Sequence, residues 1–269
     1  MQELFIEVEE NVKLYVRDSG GKEDVLVFIP GFTFTSEVFQ HQVNYFSSNY
    51  RVIIIDPRSH GKSTTTVHGN DYVTHGMDLH MVLQSLGLTN VHLVGWSFGC
   101  LTVWEYVKQF GSDHLKSTTF IDMPPKSLSV NENDWVEGNL DDMAHVYHAS
   151  LRDEKGQKEF IKSYSENVMI QRNLTNSELD WIIGQSLLTP PHVAASLFAS
   201  GLFSDYRTEA QQLSTEIPTL FIIAKHWSDV AKPYLKQLAS KADIEILGGH
   251  MMFWEYPERF NALLKEFLA

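Results

Sequence analysis

The chain has 269 residues, 43% of them apolar, enough to bury the core of one large α/β domain. Its 34 acidic residues outnumber its 21 lysines and arginines, for a formal charge of −13, and the basic residues nowhere form a run, which argues against binding nucleic acid or an anionic membrane through a basic patch. Cys100 is the only cysteine, so an intramolecular disulfide and a cysteine-based zinc or iron–sulfur site are both excluded, and a reducing, cytoplasmic setting is expected. The opening MQELFIEVEE carries acids where a signal peptide has a basic stretch, and no segment reaches the ~18 uncharged apolar residues of a membrane span. A soluble, unprocessed protein is expected.

Residues 3–8 and 11–18 mix apolar and polar residues at a period near two, which predicts an antiparallel hairpin turning at Glu9–Asn11. Short, nearly continuous apolar runs follow at 25–29, 51–56, 91–95, 118–122, 219–223 and 244–247. Such runs suit strands buried on both faces of a parallel sheet. Helical spacing recurs between them, near 36–48, 71–86, 98–110, 230–240 and 257–268. The alternation predicts an α/β fold with a mostly parallel twisted sheet of about eight strands and flanking helices. One interval, after the strand ending at Asp122 and before the strand near Pro218, is too long for a crossover helix. Helices are expected there near 133–150, 154–169, 176–188 and 191–203, with Pro190-Pro191 as a break. The interval reads as a helical cap inserted after the sixth strand, giving a core at 1–124, a cap at 125–214 and the rest of the core at 215–269.

Gly95-Trp96-Ser97-Phe98-Gly99 is a G-x-S-x-G placed between an apolar strand and a helix. In that context the glycines relieve a sharp turn that lifts the serine hydroxyl above the strand ends. A serine needs a base to become a nucleophile at neutral pH, and the base is usually a histidine oriented by a carboxylate. His250, in Gly248-Gly249-His250 after the last strand, is the expected base. Two carboxylates compete to orient it: Asp122, ending an apolar strand, and Asp229, after Ser228 at the start of a helix where capping alone would explain it. Asp122 is favoured. The amides of Phe32, after Pro30-Gly31, and Phe98 are the expected donors to a developing oxyanion. Phe34, Trp96, Trp135 and Trp227 are candidate walls of an apolar substrate pocket. His145 and His148 share a helical face without a third ligand, and Asn131–Asp134 with Asn139–Asp142 lack the spacing of a calcium loop, so neither metal nor cofactor is expected.

With the P-G-F turn, the segment Asp56-Pro-Arg-Ser-His-Gly-Lys-Ser63, G-x-S-x-G and G-G-H in that order, the chain resembles the serine hydrolases of the α/β-hydrolase fold. Residues 56–63 are similar to the family's D-x-R-G-x-G-x-S segment, with Ser59 where glycine is commoner. The resemblance implies an esterase-like enzyme cleaving a small, largely apolar ester or lactone through an acyl-enzyme. The layout is also similar to the cofactor-free dioxygenases of the same fold, in which a His–Asp pair would deprotonate a hydroxylated N-heteroaromatic. Their polar histidines beside the serine and after the P-G turn are replaced here by Trp96, Phe98 and Phe34. A ligand receptor or signalling partner that uses the same pocket for binding and a cap surface such as 131–180 for a protein is the third reading. The partner implied is a small apolar molecule, and protein partners stay open.

Overall fold

Valine and isoleucine dominate the central strands because both of their faces are covered. In the computed structural model, which describes residues 1–269, β1 (Gln2–Glu9) and β2 (Val12–Asp18) form an antiparallel hairpin, turning at Asn11 with φ 63°. The chain continues through β3 (Val25–Ile29), α1 (Gln40–Phe46), β4 (Arg51–Ile55), α2 (Tyr72–Ser85), β5 (Val91–Trp96), α3 (Gly99–Phe110) and β6 (Leu115–Ile121). Five helices come next: α4 (Leu140–Ser150), α5 (Glu154–Tyr164), α6 (Asn176–Ser186), α7 (Pro191–Leu202) and α8 (Arg207–Glu216). The sheet resumes with β7 (Thr219–Ile223), α9 (Ser228–Leu238) and β8 (Asp243–Ile246), and α10 (Met252–Glu255) and α11 (Pro257–Leu268) close the chain.

The eight strands form one sheet in the order β1-β2-β4-β3-β5-β6-β7-β8, parallel from β4 to β8. Within each buried strand alternate residues enter opposite cores, as the two-residue side-chain period requires. Val27, Ile53, Leu93 and Phe221 join one core with Leu79 of α2, Trp104 of α3 and Leu235 of α9. Phe28, Ile54, Val94 and Ile222 join the other with Val43 of α1 and Phe260 of α11. The insertion packs on both, through Val193 and Leu197 of α7 on the first and Ile161 and Ile182 on the second.

Segment 56–63 ties the sheet to its loops. The Asp56 carboxylate accepts from the amides of Ser36 (2.7 Å) and Lys62 (3.0 Å), and the Ser63 hydroxyl donates to the Asp56 carbonyl (2.6 Å) while accepting from Tyr15 N–H (2.8 Å). Arg58, almost fully buried, grips Asp78 of α2 through Nε (2.9 Å) and Nη2 (2.8 Å) and reaches Glu9 (2.7 Å). Ser59 has φ 63°, the left-handed region in which glycine is at ease.

Several boundaries differ from expectation. Helix α4 starts at Leu140, not near 133, because Asn139 accepts from Asp142 N–H (3.0 Å) and caps it. The helix expected over 154–169 is α-helical only to Tyr164 and finishes in a π turn, Ser165–Met169. Helix α8 was not expected, since RTEAQQLSTE has only Ala210 and Leu213 as apolar anchors, both fully buried. Between β6 and β7 the only β pairing is two isolated bridges, Lys126 to Asp205 and Leu128 to Gly138.

Burial pushes the imidazoles of His60 and His92 down to about 4, and that of His75 well below its ordinary value. The folded state therefore binds fewer protons there than the unfolded chain between pH about 6.5 and about 4, so their contribution to stability is lost as pH falls through that window. His92→Asn keeps a polar atom toward the Ser117 hydroxyl, which lies 2.6 Å from Nδ1. Across that window the urea midpoint of the wild type should fall relative to that of the variant, and parallel midpoints would refute the assignment.

Candidate active site

Four successive strands of the sheet, β5 to β8, send their following loops to one place. After β5, Ser97 takes φ 52°, and its amide donates to Ile121 O (2.8 Å), extending the ladder one step past the strand. The turn is tight enough to dictate its flanks. A Cβ on Gly95 would lie 2.8 Å from Cys100 Cα, and one on Gly99 would lie 2.5 Å from the carbonyl oxygens of both Ile29 and Pro30. Helix α3 begins directly at Gly99.

After β6, Asp122 has φ 50°, and its amide donates to Ile222 O (2.9 Å). Its side chain is fully buried and both carboxylate oxygens accept: Oδ1 from Ala224 N–H at the end of β7 (2.7 Å), Oδ2 from His250 Nδ1 (2.6 Å). That contact fixes the tautomer with the proton on Nδ1 and leaves Nε2 with a free lone pair. The His250 loop is pinned from two further sides. Trp96 Nε1 donates to the His250 carbonyl (2.9 Å), and the amides of His250 and Met251 donate to Val168 O (3.1 Å) and Met169 O (2.9 Å) on the π turn. The rings of Trp96 and Tyr164 each lie 5.6 Å from the imidazole. Asp229, the alternative acid, sits exposed in the first turn of α9.

Ser97 and His250 line one cavity of about 180 Å³. Phe32, Phe34, Trp96, Phe98 and the half-exposed Trp227 contribute walls from the sheet side, and the insertion contributes others, among them Met143, Val146, Phe160 and Tyr164. Trp135 does not line it. It is buried in the core that holds Trp104 and Phe198, so its bulk supports the fold beneath the insertion and not a substrate wall. The amides of Phe32 and Phe98 donate to no protein acceptor, while the two rings stand 5.5 Å apart at the cavity. Chemically, a hydroxyl and an imidazole oriented by a buried carboxylate face an apolar space, with two free amides at its wall.

Eight of the fifteen lining residues were not candidates in the sequence, and one of them is charged. Glu137 places a carboxyl in this apolar wall, and burial pushes its pKa up to about 7, with His250 lowering it and Asp122 raising it to smaller degrees. It stands in the acidic stretch 131–142, whose composition reads as a solvated surface. Only its pairing in space, Glu137 N–H to Ser127 O (3.0 Å), brings it inward.

A profile of the α/β-hydrolase fold matches residues 24–257. The chain belongs to the α/β-hydrolase fold family. Among similar α/β-hydrolase proteins is a candidate non-heme chloroperoxidase of Synechocystis sp., 26% identical over 275 residues that cover 96% of this chain and 95% of that protein. A 2-hydroxy-6-oxononadienedioate/2-hydroxy-6-oxononatrienedioate hydrolase of Pseudomonas sp. is 24% identical over 98% of this chain and 96% of its own. Among solved structures, an esterase of Exiguobacterium antarcticum superimposes with a TM-score of 0.88 at 21% identity, covering 100% of both chains.

The close approach at Gly99 gives a direct test. Gly99→Ala must displace the Ile29–Pro30 backbone or the helix start, which should lower stability by about 1–3 kcal/mol. An unchanged urea midpoint would show that the turn has slack.

Proposed function

We propose that the protein is a serine hydrolase that cleaves a small, largely apolar carboxylic ester or lactone through an acyl-enzyme. The observation that carries this reading is the 2.6 Å contact of the His250 imidazole with the buried Asp122 carboxylate, at a cavity that Ser97 also lines. Ser97 Oγ attacks the substrate carbonyl carbon while His250 Nε2 accepts its proton. The negative charge that develops on the carbonyl oxygen is held by the amides of Phe32 and Phe98, which have no other acceptor. Collapse of the tetrahedral intermediate breaks the bond to the leaving oxygen, and His250 returns the proton to it. Water then attacks the acyl-enzyme with His250 again as base, regenerating Ser97 and releasing the acid. Asp122 accepts from Nδ1 throughout and balances the imidazolium charge.

The esterase and hydrolase names among similar proteins favour this chemistry. The aromatic walls favour it over the cofactor-free oxygenase reading, because Phe34, Trp96 and Phe98 offer a hydroxylated heteroaromatic no polar anchor beside the serine. The helices α4–α8 then act as a cap whose inner face, with the sheet-side aromatics, sets which acyl group fits.

A fluorophosphonate probe should label Ser97 in the wild type and nothing in Ser97→Ala. Ser97→Ala should also lose ester turnover by at least about four orders of magnitude, and retained turnover would overturn the mechanism. Asp122→Asn should lower kcat by about 10⁴-fold, whereas Asp229→Asn should stay within about twofold of wild type. The opposite ranking would move the acid to α9.

A further inference from the structure

Twelve of the fifteen residues lining the cavity are hydrophobic, and the other three are Ser97, His250 and Glu137. Ser97 and His250 have work in the reaction proposed above. Glu137 has none, and its carboxyl makes no hydrogen bond or ion pair with any protein group, while its backbone is fixed between Ser127 and the bridge of Gly138 to Leu128. No lysine or arginine lines the cavity. Glu137 is half-buried, and a carboxyl set in an apolar wall without a protein partner is free to pair with a group that enters the cavity.

We infer that Glu137 is the specificity-determining residue of this cavity, selecting acyl groups that end in an ammonium-type cation over neutral ones and rejecting those that end in a carboxylate. The inference rests on the ester-hydrolase reading for its substrate class. An apolar cavity with one negative charge and no positive one stabilises a cation that it has partly desolvated, and a second carboxylate brought there meets a like charge with little water between them. A dioate, the substrate class in the name of the Pseudomonas relative, carries the rejected charge.

The groups that face Glu137 set the pH window. They are His250, with Asp122 behind it, from the sheet side, and the Tyr164 hydroxyl from α5; α4 contributes only Met143 and Val146. Burial raises the Tyr164 phenol well above its ordinary value, so it stays neutral. His250 spends its Nδ1 on Asp122, so Nε2 is the ring atom left for the cavity. Since the Glu137 carboxyl titrates near about 7, selection by charge is full above that value and fades below it, as the carboxyl gains a proton.

The test uses three p-nitrophenyl esters with acyl chains of matched length ending in tert-butyl, trimethylammonium or carboxylate. At pH about 8 the wild type should prefer the ammonium ester over the carboxylate ester by at least about tenfold in kcat/KM, chiefly through KM. That ratio should collapse toward unity in Glu137→Gln, and in the wild type near pH 5.5, about one and a half units below the Glu137 value. A ratio unchanged by the substitution or by pH overturns the assignment even though esters are cleaved. Should none of the three be cleaved, the hydrolase reading fails. The charge preference is then read from quenching of cavity tryptophan fluorescence by hexyltrimethylammonium and by hexanoate. Tighter ammonium binding that disappears in Glu137→Gln upholds the site, and equal binding of the two overturns it.

Discussion

Two non-glycine residues, Ser97 and Asp122, hold left-handed backbone at the ends of neighbouring parallel strands, and the arrangement of the candidate site depends on that constraint. Each conformation costs of order 1 kcal/mol or more. Each is compensated in the same way: the amide makes one more ladder hydrogen bond, to Ile121 O and to Ile222 O respectively, before the chain turns away. The side chain is thereby taken out of the alternation that would send it into one of the two cores, and is presented at the strand end. The parallel register from β3 to β8 sets those ends side by side. The sheet is therefore the ruler that spaces the groups of the candidate site, and its two cores hold that spacing against thermal motion.

The two carboxyls near the imidazole show how differently one environment treats the same chemistry. Asp122 is buried but saturated, one oxygen on a main-chain amide and the other on the ring nitrogen. Glu137 faces the cavity with no donor at all. Hydrogen bonding keeps a buried carboxylate useful as an ion, whereas desolvation alone turns a carboxyl into a group that titrates near neutrality. The oriented imidazole stands between them, its one side committed to the sheet and its other open to the ligand space.

The strands were legible in the sequence because a run such as Val25–Ile29, apolar at every position, fits only a strand covered on both faces, and the structure divides it between two cores. Ser97 and His250 were legible because glycines and strand ends mark their turns. The competition between Asp122 and Asp229 was legible as a competition. Periodicity says that each carboxylate lies near a strand end, while only the fold says that one is enclosed beside the imidazole and the other exposed on a helix. Trp135 was misread and Glu137 went unnoticed for a shared reason. Both lie in 131–138, an irregular segment whose packing is set by contacts distant in sequence, so a tryptophan there looks like a pocket wall and a glutamate draws no attention. Helix α8 escaped notice because two buried apolar residues carry no period.

The histidine loop leans on the insertion through main-chain atoms. His250 and Met251 donate to Val168 and Met169, which lie on a π turn and not on an ordinary helix end. The segment between β6 and β7 is consequently not an interchangeable module. Recombination with a relative lacking that turn would leave the His250 loop without two of its backbone acceptors. A lineage that diversifies its ligand range by exchanging whole insertions would have to preserve residues 165–169 as a graft point.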